Sequence, residues 1–126
     1  MENDNILRMY ALVRTDLGMT NGKMMSQVGH AYVGAYLQSP TSIQSAYHSD
    51  FPTHPGTKVC LDCKNLVQLM RAEAEAKDAG IPTYRVTDSG CENFFGGKPI
   101  VTALGIGPAT KSQIKHITKR FQLLTD

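Results

Sequence analysis

The chain has 126 residues, a formal net charge of +2, 41% hydrophobic and 19% charged residues, the size and balance of one domain with one hydrophobic core. No run approaches the ~20 apolar residues needed to cross a bilayer, and the opening MENDN is acidic and polar, so a single soluble, cytoplasmic domain over residues 1–126 is expected. Three cysteines form an odd count that favours free thiols over a disulfide framework, while the weak positive charge neither demands nor excludes a nucleic-acid partner.

In chain order, Ile6 to Arg14 is a short apolar run, interrupted by Arg8, that reads as a buried strand followed by the turn-rich DLGMTNG. From Lys23 onward, Met24, Val28, Ala31, Tyr32 and Ala35 fall on one face of a helix. Gln38 to Gly56, rich in Ser, Thr, Pro and His, is a long connection with room for one short helix around Ile43 to Tyr47 between its prolines. Thr57 to Leu61 reads as a second strand, and Asn65 to Ala79 as a helix with Leu66, Leu69, Met70 and Ala76 inward, Glu73 and Lys77 as an i,i+4 pair and Gly80 as its stop. Pro82 to Thr87 is a third strand ending in the turn Asp88-Ser89-Gly90. Ile100 to Ile106 is a fourth, and Gly107-Pro108 is expected to open a last helix with Ile114, Ile117 and Phe121 inward.

Strands alternating with helices predict an α/β domain, a three-layer sandwich with helices on both faces of a four-stranded, mostly parallel sheet. The short, Gly-rich link from the third strand to the fourth carries no helix signal and allows an antiparallel pair there, making the sheet mixed. Periodicity leaves the strand order open.

Ligands of open α/β sheets bind beyond the carboxyl ends of the strands, which here carry Arg14-Thr15-Asp16 and Asp88-Ser89-Gly90. Lys23, Gln27 and His30 lie on one stripe of the following helix. An ammonium at a helix N-terminus feels the positive end of the dipole and needs a carboxylate, for which Asp16 and Asp88 are the candidates; so placed, Lys23 could bind a phosphate or a developing oxyanion. The structural alternatives are a solvated lysine and, for His30, an ordinary flank histidine.

Other motifs fail on their chemistry. The segment from Gly18 to Met24 has three residues between its glycines, one too few for a phosphate loop, and Met24 where a hydroxyl would hold magnesium. Cys60 and Cys63 have the spacing of half a zinc site, but there is no second such pair, and His48 and His54 match no common ligand pattern, so no metal and no cofactor are expected. Lys111, Lys115 and Lys119, with Arg120 beside them, form a cationic stripe on the last helix, either a solvated face or a contact for a few phosphates.

The stretch from Val13 to Ala31, VRTDLGMTNGKMMSQVGHA, resembles the signature of the type 2 peptidyl-tRNA hydrolases, in which R-T-D-L-x-M-x-x-G-K leads into a helix carrying A-Q-x-x-H-A; Ser26 replaces the alanine. TDSG at Thr87 to Gly90 is similar to the family's T-D-A-G, and LGIGP at Leu104 to Pro108 to its L-G-I-G-P, so the resemblance spans about Leu7 to Leu124. It implies a mixed four-stranded sheet between helices, commonly a homodimer, that hydrolyses the ester joining a peptide to tRNA, without metal or organic cofactor. Carried across, the lysine and aspartate implicated in catalysis are Lys23 and Asp88; Arg14, Asp16, Gln27 and His30 match the remaining polar signature. After Gly90 the chain departs from the family's R-T-Q-I-A-P-G and reads CENFFGG, placing Cys91 and Glu92 in the loop.

Three functions are therefore weighed: peptidyl-tRNA hydrolysis, a tRNA-binding or regulatory protein of the same fold without turnover, and a small-molecule ester or amide hydrolase. Lys23 and Asp88 are the expected catalytic pair, with Arg14, Asp16, Gln27, Lys111 and Lys115 toward the substrate. Glu92, in a Gly-rich loop four residues past Asp88, is a candidate second carboxylate, and His30 a candidate further member of the site.

Overall fold

The computed structural model describes residues 5–89 and 96–125. Their elements run β1 (Leu7–Arg14), α1 (Asn21–Gln38), α2 (Thr41–Tyr47), β2 (Thr57–Cys63), α3 (Leu66–Asp78), β3 (Thr83–Asp88), β4 (Ile100–Thr110), α4 (Lys111–Thr118) and β5 (Gln122–Leu123). The short helix expected between the prolines is α2.

The sheet has five strands in the order β3-β4-β1-β2-β5. Among the described residues only β1 and β2 pair in parallel; β4 runs antiparallel to both β1 and β3, and β5 antiparallel to β2. The expected four-stranded, mostly parallel sheet is corrected accordingly. The helical crossovers do turn β1, β2 and β3 in one direction, but β4 runs back against β3 and inserts between β3 and β1. The carboxyl ends of β1, β2 and β3 consequently share one edge of the sheet.

Alternation along β1 divides the core. Tyr10 and Leu12 pack with Leu69, Ala72 and Ala76 of α3 and Ile114 and Ile117 of α4 on one face. Met9 and Ala11 pack with Ala31 and Ala35 of α1 and Tyr47 of α2 on the other. This is the expected three-layer sandwich.

Gly107-Pro108 does not open the last helix. Both residues lie within β4, where the register against β1 shifts between Arg8 and Tyr10 so that a bulge absorbs the proline's missing N–H. Gly107 has φ +112° and donates its N–H to Pro82 O at 2.9 Å. The helix starts three residues later, where Thr110 and Gln113 form a capping box. It also ends earlier than expected, after Thr118: Phe121 still packs on the core, but Gln122–Leu123 pairs with Leu61 and Asp62. Leu66, expected inward, is exposed in the first turn of α3; Asn65 caps that helix by accepting from Gln68 N–H at 2.9 Å.

Two contacts carry much of the architecture. A Cβ added to Gly105 of β4 would sit 2.0 Å from Ala31 O and 3.1 Å from Ala35 Cβ, so α1 lies with its backbone directly on the sheet. Gly105→Ala must lift that helix and is expected to cost about 3 kcal/mol, read as a lowered denaturation midpoint.

The second is the pair between Glu73 of α3 and Arg85 of β3, which joins through two hydrogen bonds. The Arg85 guanidinium holds the Glu73 carboxyl below its usual range. A depressed carboxylate contributes stability that is complete above the unfolded value of about 4.3 and is lost as pH falls through the lower folded value. Arg85 is partly exposed, which limits the contribution to about 1–2 kcal/mol. Denaturation series between about pH 5 and 3 are therefore expected to show a flatter acid limb for Glu73→Gln than for the parent chain.

Candidate active site

Helix α1 begins where the chain turns back after β1. Thr20 caps it, its hydroxyl accepting from Lys23 N–H at 3.2 Å, so Lys23 occupies the third helical position. The first turn of α1 contains no acidic residue. The compensating charge comes instead across the sheet edge: Lys23 Nζ lies 2.6 Å from Asp88 Oδ2 at the end of β3. Both side chains are largely buried, 16% and 9% exposed, so the pair is shielded from water in a way a surface ion pair is not.

Of the two acids proposed as partners for Lys23, Asp88 takes the role and Asp16 does not. Asp16 is held by Arg14, whose Nε and Nη2 bind its two oxygens at 3.1 and 2.7 Å. Arg14 Nη1 donates to Val101 O at 3.0 Å, and Val101 pairs with Thr87. The Arg14–Asp16 pair is thereby tied through β4 to the strand that ends in Asp88.

Gln27, one turn beyond Lys23 and 3% exposed, completes the cluster. Its Nε2 points at Asp88 Oδ2 at 3.4 Å, and its Oε1 accepts from the Thr102 hydroxyl at 2.5 Å. The carboxylate, which can only accept, decides which end of the amide faces it, and the Thr102 hydroxyl donates to the oxygen left at the other end. Thr102 was not singled out from the sequence. Its signal was there, a lone hydroxyl in the apolar run from Ile100 to Leu104.

The other sequence candidates lie elsewhere. His30 is exposed and lines a groove beside the cluster together with Thr87. Lys111 and Lys115 are exposed on α4, in the opposite layer. Because β4 runs from Ile100, paired with Asp88, to Thr110, Lys111 stands about 30 Å from the ion pair. Arg120 folds onto Glu75 of α3 instead of extending the lysine stripe. Glu92 and Cys91 lie outside the described residues. Cys60 and Cys63 sit three apart on β2 and so on opposite faces of the sheet. Cys63 belongs to the α3 core and donates to Asn65 O, and burial pushes both thiols up. An apolar cavity of about 410 Å³ among Tyr32, Tyr36, Tyr47 and Phe51 is at the far end of α1 from the lysine–aspartate pair.

The fold is α/β, and at its strand ends it holds a buried ammonium against a carboxylate, groups with the chemistry that a hydrolase needs to stabilise an oxyanion and to take a proton. The family model described as "Peptidyl-tRNA hydrolase PTH2" matches residues 7–124. A peptidyl-tRNA hydrolase of Methanopyrus kandleri is 35% identical over 113 residues, covering 90% of this chain and 94% of its own length. One from Sulfolobus acidocaldarius is 32% identical over 122 residues, covering 94% of this chain and all of its own length. A probable peptidyl-tRNA hydrolase 2 of Dictyostelium discoideum is 31% identical over 112 residues, which are 89% of this chain but only 52% of that protein. The chain belongs to the PTH2 family of peptidyl-tRNA hydrolases.

Thr102→Val keeps the shape of the residue but leaves the Gln27 oxygen buried without its donor. A loss of about 1–3 kcal/mol in thermal or denaturant unfolding is expected, with the fold retained by circular dichroism.

Proposed function

We propose that this protein hydrolyses the ester linking a peptide to tRNA and that Lys23 and Asp88 perform the reaction. The observation that carries the assignment of residues is their 2.6 Å contact, largely buried, at the shared carboxyl edge of β1 and β3. Membership of the PTH2 family supports the substrate.

The ester carbonyl enters beside Lys23, and a water attacks its carbon. Asp88 orients that water and accepts its proton, while the Lys23 ammonium stabilises the charge that grows on the carbonyl oxygen. Before substrate arrives the two charges neutralise each other, so neither is buried alone. Gln27, fixed by Thr102, holds the carboxylate in place for that step. Breakdown of the tetrahedral adduct breaks the bond to the ribose oxygen of the tRNA, which takes the proton that Asp88 had accepted, and frees the peptide acid. Arg14 and Asp16 shape the rim of the site; Lys111 and Lys115 could reach only the body of the tRNA, which is large enough to extend to α4. A homodimer and a cytoplasmic location belong to the same proposal and rest on the family resemblance and the substrate.

The test is release of tRNA from N-blocked aminoacyl-tRNA. Wild-type protein is expected to release it, with kcat lowered about 100-fold or more in Lys23→Ala and in Asp88→Asn. No release by the wild type, or an undiminished rate in Lys23→Ala, would sink the assignment. Binding of tRNA without release would instead point to the non-catalytic reading.

A further inference from the structure

Beyond the ion pair, the stripe of α1 that carries Lys23 and Gln27 continues past His30 to Val33 and Leu37, and opposite it β3 runs back from Asp88 through Thr87 to Tyr84. Between them lies a groove of about 590 Å³ lined by His30, Val33, Gly34, Leu37, Tyr84 and Thr87, among others. Its lining comes up to the Lys23–Asp88 cluster along both elements, since Thr87 adjoins Asp88 and His30 follows Gln27 by less than a turn. Gly34 makes the groove's floor: a Cβ there would lie 2.2 Å from the Tyr84 ring, so the ring rests directly on the helix backbone. Val33 and Leu37 stand along one wall, 60% and 69% exposed.

Strand β3 is the edge of the sheet, and among the described residues no strand pairs with its outer side. An edge strand offers backbone donors and acceptors to any extended chain, irrespective of that chain's sequence, while neighbouring apolar walls favour apolar side chains. Among the described residues lining the groove there is no lysine or arginine, so phosphates would find no countercharge there.

We propose that this groove receives the peptide half of the substrate, extended along the outer edge of β3 with its ester end at Lys23 and Asp88. The proposal rests on the peptidyl-tRNA reading above and adds where the peptide lies. Residues Thr83 to Thr87 span roughly 13–17 Å, the length of about four extended residues. Recognition is accordingly broad in sequence, prefers apolar side chains, and stops improving beyond about four residues.

Two measurements decide it. In the first, amide shifts of the 13.8 kDa protein are followed by NMR while an N-acetylated apolar tetrapeptide amide is added. Shifts concentrated at Val33, Gly34, Leu37, Tyr84 and Thr87, and lost in Leu37→Asp, are expected. No shifts at millimolar peptide, or shifts confined to the other flank of α1 around Met24, Met25 and Cys60, would overturn the proposal. In the second, kcat/KM for N-acetyl-aminoacyl-tRNA is compared with that for N-acetyl-tetrapeptidyl-tRNA of apolar sequence. The wild type is expected to gain roughly tenfold from the longer peptide and Leu37→Asp to lose most of that gain. Equal values in the wild type, or a gain untouched by Leu37→Asp, would overturn it. Failure to release tRNA from either substrate would count against the hydrolytic reading, while the NMR result still decides the groove.

Discussion

The contact on which the rest depends is the seating of α1 on β4. Gly105 has no side chain and Ala31 and Ala35 have almost none, so the helix backbone lies within van der Waals reach of the strand. Lys23 is eight residues from Ala31, a little over two turns or about 12 Å along the axis. Any lift of the helix at Gly105 is carried along that lever to the ammonium. The glycine of the LGIGP segment thus sets the distance between two charges that it never touches.

Electrostatics then decides which charges meet. A lysine in the first turn of a helix is opposed by the helix dipole, and nothing acidic in that turn relieves it. Asp88 relieves it from a strand 65 residues later in the chain. The same carboxylate is approached by the Gln27 amide nitrogen, and the Thr102 hydroxyl holds the amide oxygen at the other end. Each partner reduces the cost of burying the next, so the cluster stands or falls as a unit. Arg14 and Asp16, which might have competed for the same charges, satisfy each other.

Where expectation and structure part, the reasons are physical. Three strands do share a direction, as the β-α-β alternation required, but alternation says nothing about where a strand that turns back antiparallel will pair. β4 chose the gap between β1 and β3, and this changed a parallel sheet into one with a single parallel pair. Gly107-Pro108 suits a helix start and a bulge alike, because both tolerate a missing N–H. Ile114, Ile117 and Phe121 fit a helical face, yet a side chain just past a helix end can reach the same core, as Phe121 does. For Leu66, periodicity marked an apolar position that the first turn of α3 leaves exposed.

By itself the sequence determined the layers, the helices and four of the strands, the family, and the residues to look at: Asp88 at a strand end, Lys23 and Gln27 on the helix beside it. These are local matters: period, turn chemistry and short motifs depend on neighbours in the chain. Only the tertiary structure decided that Asp88 and not Asp16 answers Lys23, that Thr102 anchors Gln27, and that the Lys111 stripe lies in the opposite layer. Those outcomes depend on strand order and on how closely α1 approaches β4, which are set by contacts between residues far apart in the chain.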